Sequence, residues 1–169
     1  MVTLSTGEES YISFDDAETY FAKRGLAPFG ADGQTAVEGY LTIARDYMDG
    51  TYEWVGDIAT DSQELLWPRI NAYDREGRSI DSTTIPTKIQ HAQAELAAIA
   101  KANGGRIIAL ETEAEVKSVK AGSVEVEFQN GSAPSESSRM QAVDRLLAGY
   151  IKQRNSSVSG IRSVPLQRV

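Results

Sequence analysis

The single histidine of the chain, His91, is the residue best suited to act as a base near neutral pH. Asp81 or Glu95 could orient its imidazole, as a carboxylate does in a general-base pair. The chain has no cysteine, which excludes a thiol nucleophile, a thiolate zinc site, an iron–sulfur cluster and a disulfide framework. A lone histidine on a helix is more often structural than catalytic, so we expect no catalytic residues and no enzyme.

Two pairs of carboxylates are the other candidates for chemistry. Asp15 with Asp16, and Asp57 with Asp61, could supply oxygen ligands to Mg²⁺ or Ca²⁺. Neither pair has the alternate spacing and distal glutamate of a calcium-binding loop, and the first pair lies where acids stabilise a helix N-terminus. The glycines form no phosphate-binding loop. We therefore expect solvated surface acids, no metal site and no cofactor.

Most aromatic residues lie in the first half of the chain, among acidic residues. A surface that stacks on nucleic-acid bases usually combines aromatic side chains with basic ones. The pattern therefore favours packing of these rings in the core or at a protein interface. The residues that we assign to the structural core are Tyr40, Tyr47, Trp67, Pro68 and Leu96.

Hydrophobic periodicity predicts a mainly α fold, a small helical bundle. The longer predicted helices span about 14–24, 32–50, 86–102 and 139–154. Thr60 with Gln63 resembles a capping box, which predicts a further short helix that ends at Pro68. Ser13 is the expected N-cap of the first helix.

A different periodicity follows the third long helix. Alternating apolar and charged residues over about 115–128 predict a β-hairpin inserted in the bundle, which needs a packing partner because an isolated hairpin buries little surface. Serine and proline over 132–138 predict a linker. The predicted organisation is thus a bundle with its hairpin (1–131), the linker, a C-terminal helix and an extended tail (155–169).

The net charge of −7 is unevenly distributed. Residues 1–100 carry 17 acids and 7 bases, whereas residues 101–169 carry 7 acids and 10 bases. The acidic body argues against nucleic-acid binding by the folded domain, since it repels phosphate. The basic tail suits either an acidic protein surface or DNA. The chain has neither a membrane-spanning run nor a signal peptide, so we expect it in the cytoplasm where it is made.

Five segments, taken in order, are similar to segments of a known protein family: YISFDDAETYFAKRG (11–25), LTIARDYMD (41–49), WVG (54–56), QELLWPR (63–69) and VKSVKAGSVEVEF (116–128). Together they resemble the head–tail adaptor (connector) proteins of tailed bacteriophages, a family also labelled DnaT-like single-strand DNA-binding. The resemblance covers about residues 10–150. Its most specific element is the Trp67-Pro68-Arg69 run with Gln63, joined to the later hairpin.

The resemblance implies a structural virion protein. Copies of it would form a homo-oligomeric ring of roughly twelve subunits beneath the portal, in the neck that joins the DNA-filled head to the tail. Its partners would be the portal protein and the next neck or tail-completion protein. DNA would pass through the channel without sequence-specific binding, and the protein would reach the virion after synthesis in the bacterial cytoplasm. The alternative is a single-stranded DNA-binding replication accessory protein.

Two sets of residues are candidate contacts in such an assembly. The hairpin valines are candidates for the ring interface: Val119, Val124 and Val126. The tail has spaced apolar anchors and two arginines, which suit an extended segment that orders on docking to the portal. Its candidate residues are Val158, Ile161, Arg162, Val164, Pro165, Leu166, Arg168 and Val169.

Overall fold

A computed structural model of the chain describes residues 9–26, 28–107 and 136–152. Within these ranges lie four α-helices, a short 3₁₀ helix and a two-stranded sheet, which confirms the predicted mainly α class. The elements are α1 (Phe14–Ala22), the 3₁₀ helix (Phe29–Asp32), α2 (Gln34–Thr51), β1 (Asp57–Ile58), β2 (Arg69–Ile70), α3 (Thr87–Ala102) and α4 (Glu136–Leu147). None of these helices is long and apolar enough to cross a membrane.

The central element is α3, which packs against both α2 and α4 and also contacts α1. Nine of its 16 residues are buried, among them Ala94 and Ala97. Small alanine side chains let neighbouring helices approach closely, while Ile89, Leu96 and Ile99 fill the space between them. The alanine-rich sequence of α3 therefore reflects its position between several neighbours.

The segment before α1, residues 10–12, is held by one buried amide. Gln93 of α3 is fully buried, and its Oε1 accepts a 3.0 Å hydrogen bond from the Ile12 backbone N–H. Its Nε2 donates to the Leu41 carbonyl of α2 at 2.8 Å and to Ser10 Oγ at 2.9 Å. This amide on α3 thus satisfies groups on two other segments, residues 10–12 and α2. The following helix, α1, has the N-cap expected, because Ser13 Oγ accepts from the Asp16 N–H.

The predicted short helix before Pro68 is wrong. The segment between β1 and β2 contains turns and bends, and β1 pairs antiparallel with β2 on either side of it. One half of the expected capping box does form, since the Thr60 N–H donates to Gln63 Oε1 at 2.9 Å. Proline has no N–H to donate and disfavours helical geometry in the residue before it, so three apolar residues are too few to start a helix.

The last helix, α4, ends earlier than predicted. It begins at Glu136, inside the segment predicted as a linker, and ends at Leu147. The apolar Tyr150 and Ile151 extend the periodic pattern, but Tyr150 lies in the turn that follows α4 and Ile151 lies beside Trp54. The Val55 N–H donates to the Tyr150 carbonyl at 2.9 Å, and Trp54 forms an antiparallel bridge with Ile151.

Several predicted features lie outside the described residues. They are the hairpin over 115–128, with Val119, Val124 and Val126, the linker residues 132–135 and the tail over 155–169. The sheet that the structure does describe, β1 with β2, is a different one. Its strands have two residues each, too short to show the alternation from which a strand is predicted.

Candidate interaction surfaces

The aromatic residues form an interlocking cluster inside the protein. Trp54 and Trp67 are buried and meet edge to face, with ring centroids 6.1 Å apart. Tyr11 contacts Trp54 at 6.5 Å, and Tyr150 contacts Trp67 at 5.9 Å. Rings packed in this way have no free face on which a base could stack. The fold therefore uses these rings for its core.

The Trp67-Pro68-Arg69 run is a structural node. Arg69 is 8% exposed, and its guanidinium donates to the carbonyls of Val55 at 2.7 Å, Gly56 at 2.9 Å and Leu66 at 3.1 Å. Burial lowers the pKa of Arg69 from its ordinary value. One side chain thus joins the segment before β1 to the segment before β2, and the motif serves the fold.

A loop with three exposed acids precedes this node in the chain. We define the acidic loop as residues 57–64, in which Asp57, Asp61 and Glu64 are exposed. Gln63 holds the base of the loop, because its Nε2 donates to the carbonyls of Leu65 at 2.6 Å and Pro68 at 3.1 Å. Its shape is thereby fixed by hydrogen bonds.

A cleft with four cations is lined by the turn after β2, the start of α3 and the end of α4. We define the basic cleft by Arg75, Arg78, Lys88 and Arg145, with Asp74, Glu76, Leu146, Gly149 and Tyr150 completing its lining; its volume is about 210 Å³. Arg78 pairs with Asp74 at 2.8 Å and with Glu76 at 3.1 Å. Hydrogen bonds from Arg78 hold the pKa of Asp74 below its usual range. The other three cations have no carboxylate partner among the described residues.

The candidate base His91 lies against Tyr20, with ring centroids 4.4 Å apart. The carboxylates expected to orient it are bound elsewhere. Glu95 accepts hydrogen bonds from Tyr20 Oη at 2.7 Å and from Arg139 at 2.6 Å, while Asp81 accepts from Thr83 at 2.7 Å. Burial, followed by the charge of Arg24, lowers the pKa of His91 from its ordinary value. The arrangement stabilises the neutral imidazole against the body of the protein.

The paired acids also have structural partners. Asp16 accepts a 2.7 Å hydrogen bond from Ser13 Oγ, and Asp57 accepts one of 3.1 Å from Asn71. In the described ranges no three side chains of the metal-ligating types come together.

The residues assigned to the core occupy two environments. Trp67 and Leu96 are fully buried. Tyr40, Tyr47 and Pro68 are half-buried, and both tyrosines pack against the margin of the core. The tail residues assigned to portal docking, from Val158 to Val169, lie outside the described residues.

Over residues 2–168 the chain matches a family described as "Putative DnaT-like ssDNA binding protein". The chain belongs to this family. The DnaT-like label predicted from the residues is thus confirmed, and the description names single-stranded DNA binding and no enzymatic activity. No curated protein and no solved structure matches the chain.

Neither the acidic loop nor the basic cleft of this DnaT-like family member was predicted from the sequence. The basic cleft combines the turn over 74–78, Lys88 on α3 and the end of α4 over 145–150, which are distant along the chain. The acidic loop overlaps the segment from Thr60 to Pro68 that was predicted as a short helix. The sequence shows only separate components of these surfaces, namely Arg75 and Arg78 in one turn and the acids Asp61 and Glu64 around Gln63. Three cations in a cleft can neutralise carboxylates or phosphates equally well.

Proposed function

We propose that this chain is a head–tail adaptor, a structural subunit of the bacteriophage neck. Copies of it form a ring beneath the portal and link the DNA-filled head to the tail. The observation that carries this proposal is the burial of the aromatic cluster. Because Trp54 and Trp67 are 3% and 0% exposed, their rings support a folded body instead of a surface for stacking bases.

The role of the specific motif supports the same proposal. Gln63 and Arg69 hold backbone segments together, so the most distinctive residues of the resemblance preserve a shape. A shape maintained in this way, with charged and apolar groups on its surface, is suited to assembly. Among the large apolar side chains, Ile58, Ile70 and Tyr73 are exposed in the described ranges. Exposed apolar groups beside charges are typical of protein contacts.

We infer that the protein is not an enzyme. The two carboxylates that were expected to orient His91 are engaged by Tyr20, Arg139 and Thr83 instead. The proposed partners are other copies of this chain, the portal protein and the next neck or tail-completion protein. The tail over 155–169 is the proposed portal contact, and the virion neck is the proposed location.

Single-stranded DNA binding is the second candidate function. It is favoured by the family description and by the basic cleft, where Arg75, Lys88 and Arg145 could contact phosphates. Tyr73, close by in the chain, is 55% exposed and could stack on a base. The acidic charge of residues 1–100 opposes this function.

Titration of a fluorescent single-stranded oligonucleotide at several salt concentrations separates the two functions. For an adaptor we expect a Kd weaker than about 10⁻⁶ M at physiological salt, and no difference between the wild type and Lys88→Glu/Arg145→Glu. Tighter binding that is lost in this variant would favour the second candidate. Its logarithmic salt slope would be about −2 if three cations contact phosphates.

A further inference from the structure

The basic cleft has a surplus of positive charge in a chain whose net charge is −7. Its two acids, Asp74 and Glu76, are both bound by Arg78, which leaves Arg75, Lys88 and Arg145 to meet a ligand. The cleft is therefore prepared for a group with several negative charges.

Packing fixes one of these cations beside the end of α4. A Cβ atom placed on Gly149 would lie 3.0 Å from Arg75 Cγ, so the aliphatic part of Arg75 covers this glycine. Leu146 and Tyr150 add apolar surface to the same lining. A fitting ligand thus combines negative charge with an apolar group.

The acidic loop has this combination. Asp57, Asp61 and Glu64 are exposed, and Ile58 between them is 43% exposed. Because hydrogen bonds of Gln63 already hold the loop, little conformational entropy is lost when it docks. Three acids with one apolar anchor match three free cations with an apolar lining.

We propose that the acidic loop of one copy docks into the basic cleft of a neighbouring copy. This inference rests on the proposed adaptor function and names the contact that joins its subunits. The two surfaces differ, so the contact is heterologous, the type that can close into a ring.

Reversal of charge on each surface tests this contact. Lys88→Glu/Arg145→Glu reverses the cleft, and Asp61→Lys/Glu64→Lys reverses the loop. Sedimentation velocity should show oligomers for the wild type at low salt and dissociation at about 0.5 M salt, where charges are screened. Each variant alone should remain monomeric, whereas their equimolar mixture should assemble again, because each reversed surface then finds a complementary one.

A matched control changes the same number of charges elsewhere. Lys23 and Arg106 are exposed and lie outside the cleft, so Lys23→Glu/Arg106→Glu should assemble like the wild type. Far-ultraviolet circular dichroism confirms the fold of each variant. As a second measurement, Asp61→Cys/Lys88→Cys in this cysteine-free chain should give a ladder of disulfide-linked multimers on oxidation, and each single cysteine variant should not.

Three results would overturn the inference. In the first, each reversed variant alone assembles as strongly as the wild type and the double cysteine variant gives no ladder. The subunits would then meet through a different contact, and the adaptor function would still hold. In the second, the wild type stays monomeric at every concentration. Attachment of the protein to the portal would then test the adaptor function separately. In the third, Lys88→Glu/Arg145→Glu assembles like the wild type but no longer binds the oligonucleotide. The basic cleft would then be a binding site for the phosphates of DNA.

Discussion

Arg139 of α4 forms a 2.6 Å ion pair with Glu95 of α3, and the two side chains are only 13% and 8% exposed. Tyr20 of α1 donates to the other carboxylate oxygen of Glu95 at 2.7 Å. The carboxylate therefore connects three helices. It also fixes the position of α4, which follows α3 only after residues 103–135. The orientation of the C-terminal part of the body depends on this buried charge and its two partners.

Removal of Arg139 should expose this dependence. Arg139→Met leaves Glu95 charged and buried with one partner fewer, and we expect the free energy of unfolding to fall by about 3 kcal/mol. Urea denaturation measures the change. Glu95→Gln/Arg139→Met removes both charges, keeps an acceptor for the Tyr20 hydroxyl and should recover most of the loss. As a control, Arg78→Met breaks an exposed pair and should change stability little. Equal losses in the single and double variants would contradict this interpretation.

Arg69→Lys tests the structural node. A lysine has one ammonium on a flexible chain and cannot reach the carbonyls of Val55, Gly56 and Leu66 in the planar geometry of a guanidinium. We expect a loss of about 1–3 kcal/mol, because buried carbonyls lose their donors. The matched control is Arg75→Lys, in an exposed residue. A thermal shift for Arg69→Lys no larger than the shift for the control would show that the node contributes little.

His91 should make stability depend on pH. Burial and the nearby Arg24 lower the pKa of His91 below its ordinary value of 6.5, Lys23 acts in the same direction and Glu95 opposes it. The unfolded chain therefore binds a proton at His91 more readily than the folded protein does. Stability is fully present above about pH 6.5 and is lost as pH falls through that value toward the lower pKa of the folded state.

Comparison with a variant isolates the contribution of His91. His91→Asn cannot titrate, so its free energy of unfolding should fall less than that of the wild type between about pH 7 and pH 5. Guanidinium denaturation at several pH values measures both curves. Parallel curves would mean that His91 has the same pKa in the folded and unfolded states.

The predicted hairpin over 115–128 is expected to form contacts between the subunits of the ring. Replacement of Val124 and Val126 by Asp should leave the helical circular dichroism unchanged and prevent ring formation, because charges on the apolar face oppose packing on a neighbour. Glu125→Lys/Glu127→Lys changes the opposite, charged face of the same predicted strand and serves as the control. Rings in electron micrographs of the valine variant would exclude the hairpin as a contact.

The helices that could be predicted from the sequence are those with both a periodic face and a clear end. The region around α1 was found from Ser13 and Gly25, and that of α3 from Pro86 and Asn103. The segment around Gln63 misled the prediction, because its side chain takes the place of helical hydrogen bonds at two carbonyls. Local sequence does not show that a side chain will fold back in this way.

The candidate surfaces were harder to predict than the fold. Charge counts over 1–100 correctly describe an acidic body but average over the few cations that the fold collects in one cleft. Arg145 belongs to the part of the chain that we treated as a separate helix, and only the packing of α4 on α3 brings it near Lys88. Such a cleft depends on tertiary contacts, which periodicity does not contain.

The most direct test of the adaptor function is electron cryomicroscopy of phage heads that carry the cognate portal, mixed with the purified protein. We predict a ring of density below the portal with the chain as its repeating unit. A chain without residues 155–169 should keep its circular dichroism and melting temperature but leave the portal bare. Absence of density for the intact chain at saturating concentration, with full saturation of single-stranded DNA by the same sample, would contradict the adaptor function.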